Sequence, residues 1–345
     1  MILPEFWKNN LKDIDEVVSS VKKGRVTTAY SAGGRAVYLV EYGTPNDYSY
    51  RTANFNSAAG AHDITCYADK SRDGVRPCVF LIGGMHGGEL AGIVGVLNLI
   101  SIIETGVDLA GDRQPQFDGI EEKMHLLLIP CANPDGRARV PMDSFSEIDN
   151  YEFRKLSQGT WKKDGTLANW PQCKKVHPIK EASDFLGSYF DDNGVNLMHD
   201  DFFNPWSETT KFLLGIADKY VPDVTALLHS GGPYPPRIMR PNFVPYYYRE
   251  QAHKMVLRLC TRCDKEGLEF AEMPLIPNDT DPNTMFNAVS AFIAKCGTLC
   301  FTYESNSDTG GGSGYPLDIV YRHHLILFEE CFAYADEQIK SIKNK

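Results

Sequence analysis

The sequence of 345 residues lacks any run of about 18 consecutive apolar residues, so nothing in it predicts a membrane-spanning helix. Basic residues are not in excess either. The formal net charge is −10, which argues against nucleic acid or an anionic membrane as the main partner. The first residues lack the basic and apolar segments of a secretory signal peptide. The nine cysteines follow no small-scaffold pattern and suggest thiols in a reducing compartment. We therefore expect a cytoplasmic protein, with its oligomeric state left open.

Internal repeats and low-complexity linkers are also missing, which favours one domain over residues 1–345. Residues 1–24 are predicted to be an N-terminal helical extension, because apolar residues recur at nearly helical spacing until Gly24. The polar, turn-rich residues 45–75 are predicted to form an inserted loop or hairpin. A final helix is predicted over residues 324–343, with apolar residues on one face.

Four short apolar runs are bounded by glycine, proline or polar residues and separated by stretches long enough for helices. This arrangement is typical of the central strands of a mostly parallel sheet. The apolar segment of residues 90–106 is predicted to be a helix packed on that sheet. The predicted fold class is therefore α/β, a single domain with a mixed, mostly parallel central sheet flanked by helices. The four runs are CVFLIGG (78–84), MHLLLIPCANP (124–134), VTALLHSGG (224–232) and GTLCFTYES (297–305).

Each run ends in polar residues that could carry chemistry: His86 after the first, Asn133 in the second, His229 in the third and Glu304 in the fourth. In parallel sheets, ligands bind where the strands reach their carboxyl ends. We therefore expect these side chains to meet at one edge of the sheet. This coincidence is the main indication of a functional site.

A metal site is the first interpretation of His86 and Glu89, which lie three residues apart in the glycine-rich GGMHGGELAG. Phosphate binding is less favoured, because neither G-x-x-x-x-G-K-[ST] nor G-x-G-x-x-G is present. His229 is a candidate third ligand, since the small residues Ser230–Gly232 leave room for a ligand, although a buried turn histidine is the plainer alternative. Glu304 is a candidate general base or a solvated loop residue.

Together these motifs resemble the carboxypeptidase A-like zinc metallocarboxypeptidases. The shared order is HxxE (His86, Glu89), NPDG (133–136), GVNL (194–197), HS (His229, Ser230) and TYE (Glu304), and the resemblance extends over most of residues 30–335. It implies that His86, Glu89 and His229 bind one Zn²⁺ per chain, a ligand set that suits zinc. It also implies that Glu304 takes a proton from metal-activated water and passes it to the leaving amine.

The sequence departs from this family where the substrate is bound. Asn196 stands in place of an aspartate that orients the first histidine ligand, although its amide oxygen can still accept a hydrogen bond. Asn196 and Ser230 are also candidates for substrate binding. The family's Asn-Arg pair, which binds a terminal carboxylate, should follow GVNL, but this chain has Met198, His199, Asp200 and Asp201. If these side chains face the cleft, they favour a cationic or amide group. Alternatively, Asp200 and Asp201 cap the next turn.

The arginine that stabilises the oxyanion in this family has no clear counterpart. Lys162 is the first candidate, because WKK resembles the family's Trp-Arg-Lys, and Arg154 is the second. The sequence thus predicts a zinc-dependent hydrolase that cleaves an amide bond of a peptide or modified amino acid. Two alternatives stay open: an N-acyl amino acid deacylase similar to aspartoacylase and succinylglutamate desuccinylase, and an inert zinc-holding relative that binds peptides.

Overall fold

The computed structural model describes residues 2–49, 57–58, 67–232, 234–275, 285–306 and 316–344. The predicted insertion of residues 45–75 lies partly outside these ranges, so its form stays a prediction. None of the described helices combines the length and the apolar character needed to cross a membrane. The eight cysteines in these ranges are free thiols.

A seven-stranded sheet forms the centre of the fold, and two further strands form a separate antiparallel pair. The order in the large sheet is β1-β2-β4-β3-β7-β9-β8, and the small pair is β5-β6. The strands are β1 (Arg25–Tyr30), β2 (Ala36–Tyr42), β3 (Cys78–Gly83), β4 (His125–Ile129), β5 (Gly159–Trp161), β6 (Ser183–Leu186), β7 (Val224–Gly232), β8 (Arg237–Met239) and β9 (Leu299–Asn306).

The middle of the sheet is parallel and its margins are antiparallel. β4, β3, β7 and β9 pair in parallel, while β1, β2 and β8 run antiparallel to their neighbours. The four central strands are the four apolar runs of the sequence. The predicted α/β class with a mixed, mostly parallel sheet is therefore confirmed, and the carboxyl ends of these strands meet at one edge.

Helices cover both faces of the sheet. The described helices are α1 (Leu11–Ser19), α2 (Leu90–Thr105), α3 (Ile120–Lys123), α4 (Pro134–Ala138), α5 (Asn150–Gln158), α6 (Glu208–Tyr220), α7 (Tyr246–Asp264), α8 (Ala288–Cys296) and α9 (Leu317–Lys343). Three short 3₁₀ turns join them, at Pro115–Phe117, Gln172–Lys175 and Lys180–Ala182.

Side chains of β3 show how the two faces are filled. Val79 and Leu81 pack in a cluster with α1, α2 and α9, whereas Phe80 and Ile82 pack in a second cluster with α6 and α8. Successive side chains of a strand point to opposite faces, so both sets are buried. This is why the central strands are apolar throughout instead of alternating.

Both terminal helices differ in length from their predictions. α1 begins only at Leu11, because Asn10 and Asp13 form a reciprocal cap that fixes the start of the helix there. Before it, Trp7 N donates to Pro4 O in a turn. α9 begins seven residues before the predicted start, directly after Pro316, whose fixed φ suits the residue that precedes a helix.

Candidate metal centre and catalytic cavity

The turn between β3 and α2 depends on glycine at two positions. Gly84 has φ +59°, a left-handed conformation that favours glycine. At Gly87, a Cβ atom would lie 2.1 Å from the backbone N of Arg137, so no side chain fits. The tight turn ends where α2 begins, and Glu89 N donates to His86 O at 3.0 Å. His86 and Glu89 are thereby held on the same side of the turn.

His86, Glu89 and His229 form a compact buried cluster. Nδ1 of His86 lies 2.8 Å from Oε1 of Glu89, and Nδ1 of His229 lies 2.6 Å from Oε2 of Glu89. Each residue can offer one ligand atom, and these atoms lie within 4.8 Å of one another. Within the described ranges, this is the one group of at least three such residues close enough to hold an ion.

Sheet register places Glu304 beside this cluster. His229 on β7 pairs directly with Glu304 on β9, and Oε2 of Glu304 accepts a hydrogen bond from Gly231 N at 3.1 Å. The Glu304 side chain is half-buried, whereas the three cluster residues are buried. Glu304 is therefore a second carboxylate next to, but separate from, the candidate ligands.

The two carboxyl groups have opposite pKa shifts. Burial alone would raise the pKa of Glu89, but the imidazoles of His86 and His229 outweigh it and hold that pKa well below its ordinary value. Burial, together with the nearby charge of Glu89, raises the pKa of Glu304 to about 7. Glu89 is thus suited to bind a cation, and Glu304 to exchange a proton near neutral pH.

Outer contacts hold the cluster in place. Nε2 of His86 lies 3.3 Å from Oδ1 of Asn196, so the remaining nitrogen of that ring, Nδ1, is directed to Glu89. Ser230 N donates to Oε2 of Glu89 at 3.3 Å. The ring of Tyr189 stacks on the His86 ring, with centroids 3.9 Å apart and planes at 15°. Asn196 and Ser230, which are also candidates for substrate binding, both contact the candidate ligands, and for Asn196 this is the outer contact that its position in the sequence suggested.

A cavity of about 480 Å³ opens above the cluster. His86, Glu89 and His229 form its floor together with Glu304. Its other charged side chains within the described residues are two arginines, Arg154 on α5 and Arg240 just after β8. Its remaining lining residues are Gln158, Asn169, Trp170, Tyr189, Met198, His199, Met239, Asn242, Met285, Asn287 and Thr302.

Three of the predicted substrate and oxyanion residues lie elsewhere. Asp200 accepts hydrogen bonds from Trp206 N and Ser207 N, at 3.0 and 3.1 Å, and Asp201 accepts from Asn204 N at 3.2 Å. Neither carboxylate lines the cavity, so both follow the alternative interpretation of turn capping. Lys162 lines a separate cavity.

His199 and Arg154 do line the cavity. Burial, with smaller contributions from nearby cationic groups, lowers the pKa of His199 to about 2. His199 is therefore neutral and adds no charge to the cavity. With Asp200 and Asp201 turned into the following loop, the cavity has no acidic side chains among its described lining residues beyond Glu89 and Glu304. The pocket for a cationic or amide group, which the sequence predicted only if Asp200 and Asp201 faced the cleft, therefore loses its basis.

Sequence reasoning missed Tyr189 and Arg240. Nothing in GSYFDDN distinguishes Tyr189, which faces the cavity, from the buried Phe190 beside it. Arg240 follows β8, a strand of only three residues that pairs with β9 beside Glu304. A strand this short leaves no periodic signal, and its place in the sheet comes from tertiary pairing.

The residues present fit a zinc ion. Zinc in catalytic sites takes nitrogen and oxygen donors from three side chains and leaves a position open for a further ligand. Two Nδ1 atoms and one carboxylate converge here, and the cavity lies open above them. The outer contact from Asn196 to His86 is also usual for zinc-binding histidines.

Comparisons with known proteins show what this chain is similar to in sequence and in fold. The sequence model of the zinc carboxypeptidase family matches residues 12–174, a segment that includes His86 and Glu89 and ends before His229 and Glu304. A search of curated protein sequences found no match.

Solved structures of metallo-carboxypeptidases share the fold. One is from Burkholderia cenocepacia, with TM-score 0.59, 15% identity, and coverage of 95% of this chain and 70% of that chain. Another, from Pseudomonas aeruginosa in complex with (2-guanidinoethylmercapto)succinic acid, has TM-score 0.53, 14% identity and coverage of 95% and 69%. Carboxypeptidase A from Helicoverpa armigera has TM-score 0.52, 14% identity and coverage of 96% and 75%.

These findings support first a hydrolase of the metallopeptidase type. More closely, they support a zinc carboxypeptidase-like hydrolase, as the resemblance of its motifs predicted, and zinc is the cofactor of the matched family. The cytoplasmic location stays a prediction.

Proposed function

We propose that the protein hydrolyses an amide bond adjacent to a carboxylate, at the end of a peptide or in an acylated amino acid, with Glu304 as the general base. The observation that carries the proposal is the pairing of Glu304 with His229 in the sheet, in the same cavity as the candidate zinc ligands. A protein that only bound peptides would have no use for a second carboxylate at this position.

His86, Glu89 and His229 would hold the zinc ion. When bound, zinc polarises a carbonyl group and makes water more acidic. Glu304 would take a proton from the attacking water and deliver it to the nitrogen of the leaving amine. A group shuttles protons best when its pKa lies near the working pH, and burial raises the pKa of Glu304 to about 7.

Arg154 and Arg240 would bind the anionic groups of the reaction. Two such groups arise, the carboxylate next to the scissile amide and the oxyanion that develops on the carbonyl. Guanidinium groups bind both well, since they can donate two parallel hydrogen bonds. Arg154 is exposed and Arg240 is half-buried at the margin of the sheet. The similar protein from Pseudomonas aeruginosa was solved with a succinic acid derivative, which supports a carboxylate-binding cavity.

A substrate panel tests the proposal. The zinc-loaded protein and Glu304→Gln would be assayed with peptides bearing a free carboxyl end, the same peptides with an amidated end, and N-acyl amino acids. We expect turnover of at least one carboxylate-bearing substrate, reduced about 10²- to 10⁴-fold in kcat by Glu304→Gln, the usual contribution of a general base. Amidated peptides should react poorly. Turnover by Glu304→Gln equal to that of the unchanged protein would contradict the role of Glu304.

The roles of the two arginines separate in the same assay. Replacing the arginine that binds the substrate carboxylate should raise KM for free-acid substrates and leave amidated ones unchanged. Replacing the arginine that stabilises the oxyanion should lower kcat for both kinds. Arg154→Gln and Arg240→Gln each test one assignment, and a result in which neither variant changes either parameter would exclude both arginines.

A further inference from the structure

A second cavity is lined by part of the segment of residues 159–190, which also lines part of the catalytic cavity. The core of this segment contains Ala168, Cys173, Ile179 and Phe190, against which Trp161 and Tyr189 pack. Tyr189 and Trp170 line the catalytic cavity, whereas Trp161 and Gln172 line the second cavity. Only Pro171 separates Trp170 from Gln172 in the chain. The two cavities are therefore lined by neighbouring residues of one segment of the chain.

This second cavity, which we call the lysine groove, is about 710 Å³ in volume. Its charged residues within the described ranges are Lys162, Lys163, Lys175 and one carboxylate, Glu181. The rest of its lining is neutral, formed by Trp161, Thr166, Gln172, Val176 and Ala182. The groove is thus positive on a chain whose net charge is −10.

The positive charge of the groove is largely uncompensated. All three lysines are exposed. Among the described residues, Lys162 and Lys175 form no ion pair, and Lys163 has only the exposed Asp164, at 3.6 Å. Lys163 also lies 5.9 Å from the centre of the Trp161 ring, where a cation is weakly attracted. Elsewhere the exposed lysines Lys12, Lys211 and Lys340 are each paired with an acidic side chain on the same helix.

The form of the groove favours a chain with several carboxylates over a single compact anion. A phosphate is bound best by a guanidinium fork or by converging backbone N–H groups. No arginine is among the lining residues of the groove, which instead presents three flexible point charges from two segments, Lys162–Lys163 and Lys175, beside apolar side chains such as Trp161 and Val176. Nucleic acid fits poorly with the net charge of −10.

We propose that the lysine groove binds an acidic segment of the polypeptide whose end occupies the catalytic cavity. The inference rests on the proposed function, because it takes the catalytic cavity to be the site where the peptide is cut. The preferred substrates are then acidic peptides, selected by charge outside the catalytic cavity. Because the lysines are exposed, the preference is screened by salt.

Paired peptides test this inference on the zinc-loaded protein. The two peptides share their carboxyl-terminal residues and carry either four glutamates or four glutamines upstream. We expect kcat/KM to favour the glutamate peptide about tenfold at low salt, as the sum of a few exposed ion pairs, and the preference to shrink at high salt. The variant Lys162→Gln/Lys163→Gln/Lys175→Gln should lose the preference while its rate on the glutamine peptide stays unchanged.

A matched variant controls for net charge. Lys12→Gln/Lys211→Gln/Lys340→Gln removes the same charge from exposed helical positions and should keep the preference. An equal preference in the groove variant and in the unchanged protein, or no preference in either, would overturn the inference. Equal loss in both variants would also overturn it, since the effect would then come from net charge alone.

Binding separates this inference from the proposed function. Titration calorimetry of the zinc-loaded Glu304→Gln protein with the two peptides measures the groove without turnover. If no peptide is cleaved but the glutamate peptide still binds more tightly through the three lysines, the proposed hydrolase activity is wrong and the proposed role of the lysine groove is supported. If peptides are cleaved and both peptides bind with the same affinity, the hydrolase activity is supported and the role of the groove is wrong. Tighter binding of inorganic tripolyphosphate than of the glutamate peptide would also contradict the role of the groove in binding acidic peptides.

Discussion

The two ends of the central strands both carry buried ionisable side chains, but they are built differently. At the carboxyl ends, His86, Glu89 and His229 lie under a cavity, with Glu304 beside them. At the opposite edge, Cys78 and His125 begin β3 and β4 and meet Glu41 near the end of β2. Residues of nearly the same types therefore occur at both edges of one sheet.

Contacts at the second edge resemble a catalytic arrangement. Sγ of Cys78 lies 3.4 Å from Nδ1 of His125, and Nε2 of His125 lies 3.3 Å from Oε1 of Glu41. A nucleophile, a base and an orienting carboxylate in this order are typical of covalent catalysis. Here, however, Cys78 and His125 are 0% exposed, and burial raises the pKa of the Cys78 thiol well above its ordinary value. The thiol is inert, and the group is structural.

The two edges differ in the partners of their buried carboxylates. Glu41 accepts hydrogen bonds from Arg25 at 2.6 Å and from Tyr220 at 2.9 Å. Although its burial favours the neutral acid, contacts with His125, Arg25 and Tyr220 lower the pKa of Glu41 to about 2. Its charge is satisfied within the protein, whereas the imidazoles and Glu89 at the carboxyl edge converge on one another beneath an open cavity. Access for a ligand, and not residue type, identifies the functional edge.

Removing a ligand from the carboxyl edge should have the largest effect. His229→Ala is expected to weaken zinc binding by more than about 100-fold, beyond what is usual for loss of an outer contact, because it deletes one of three donors. The measurement is zinc content per chain after dialysis against a weak chelator. We expect about one zinc for the unchanged protein and much less for the variant.

His253→Ala is the matched control for this experiment. His253 is a half-buried histidine on α7 whose Nδ1 lies 2.8 Å from Met273 O, outside the catalytic cavity. Its loss should leave the zinc content unchanged. Full zinc occupancy in a folded His229→Ala protein would show that the cluster is not the metal site.

Removing the charge of Glu41 at the opposite edge should lower the stability of the protein but leave its zinc content unchanged. Glu41→Gln removes a buried charge that has three partners, and we expect the free energy of unfolding to fall by about 1–3 kcal/mol. The loss is smaller than for a fully buried ion pair because Arg25 is largely exposed. Urea unfolding measures this loss. The folded-state pKa of Glu41 lies below its ordinary value of 4.5, so its stabilisation is present above that pH. The difference in the free energy of unfolding between the unchanged protein and Glu41→Gln should therefore become smaller as pH falls from about 4.5 towards 2.

The same variant tests the contrast between the edges. Zinc content and turnover should stay at the level of the unchanged protein once the variant is folded. A large loss of zinc from folded Glu41→Gln would mean that the two edges are coupled, and their separation into structural and functional ends would be wrong.

Much of the framework was predictable because it depends on local patterns. The four central strands are apolar runs with glycine, proline or polar ends, and such runs indicate strands buried on both faces. His86, Glu89, His229 and Glu304 follow or end those strands, so their convergence at one edge follows from the parallel topology. The order of the motifs along the chain then favoured a metal site over an ordinary loop as the interpretation of these residues.

The cavity walls were not predictable in the same way. Tyr189, Arg240 and the orientation of Asp200 depend on loops and on a three-residue strand, whose positions are fixed by contacts distant in the sequence. A short string such as MHDD can equally face a cleft or cap a turn. Its environment decides, and the hydrogen bonds from Trp206 N and Ser207 N fix Asp200 in the second role.

The smallest effect is expected from the outer contact to the zinc ligands. Asn196→Ala removes the acceptor 3.3 Å from Nε2 of His86 and should weaken zinc binding about 10- to 100-fold, less than loss of His229. Asn196→Asp should restore or exceed the original affinity, because a carboxylate is the stronger acceptor for an imidazole N–H. Asn193→Ala, at an exposed position of the same loop, is the control and should bind zinc normally. Competition with a fluorescent zinc chelator measures all three. If Asn196→Ala and Asn196→Asp bind zinc equally well, the contact to His86 does not tune the metal, and Asn196 serves only to hold its loop through Met198 N.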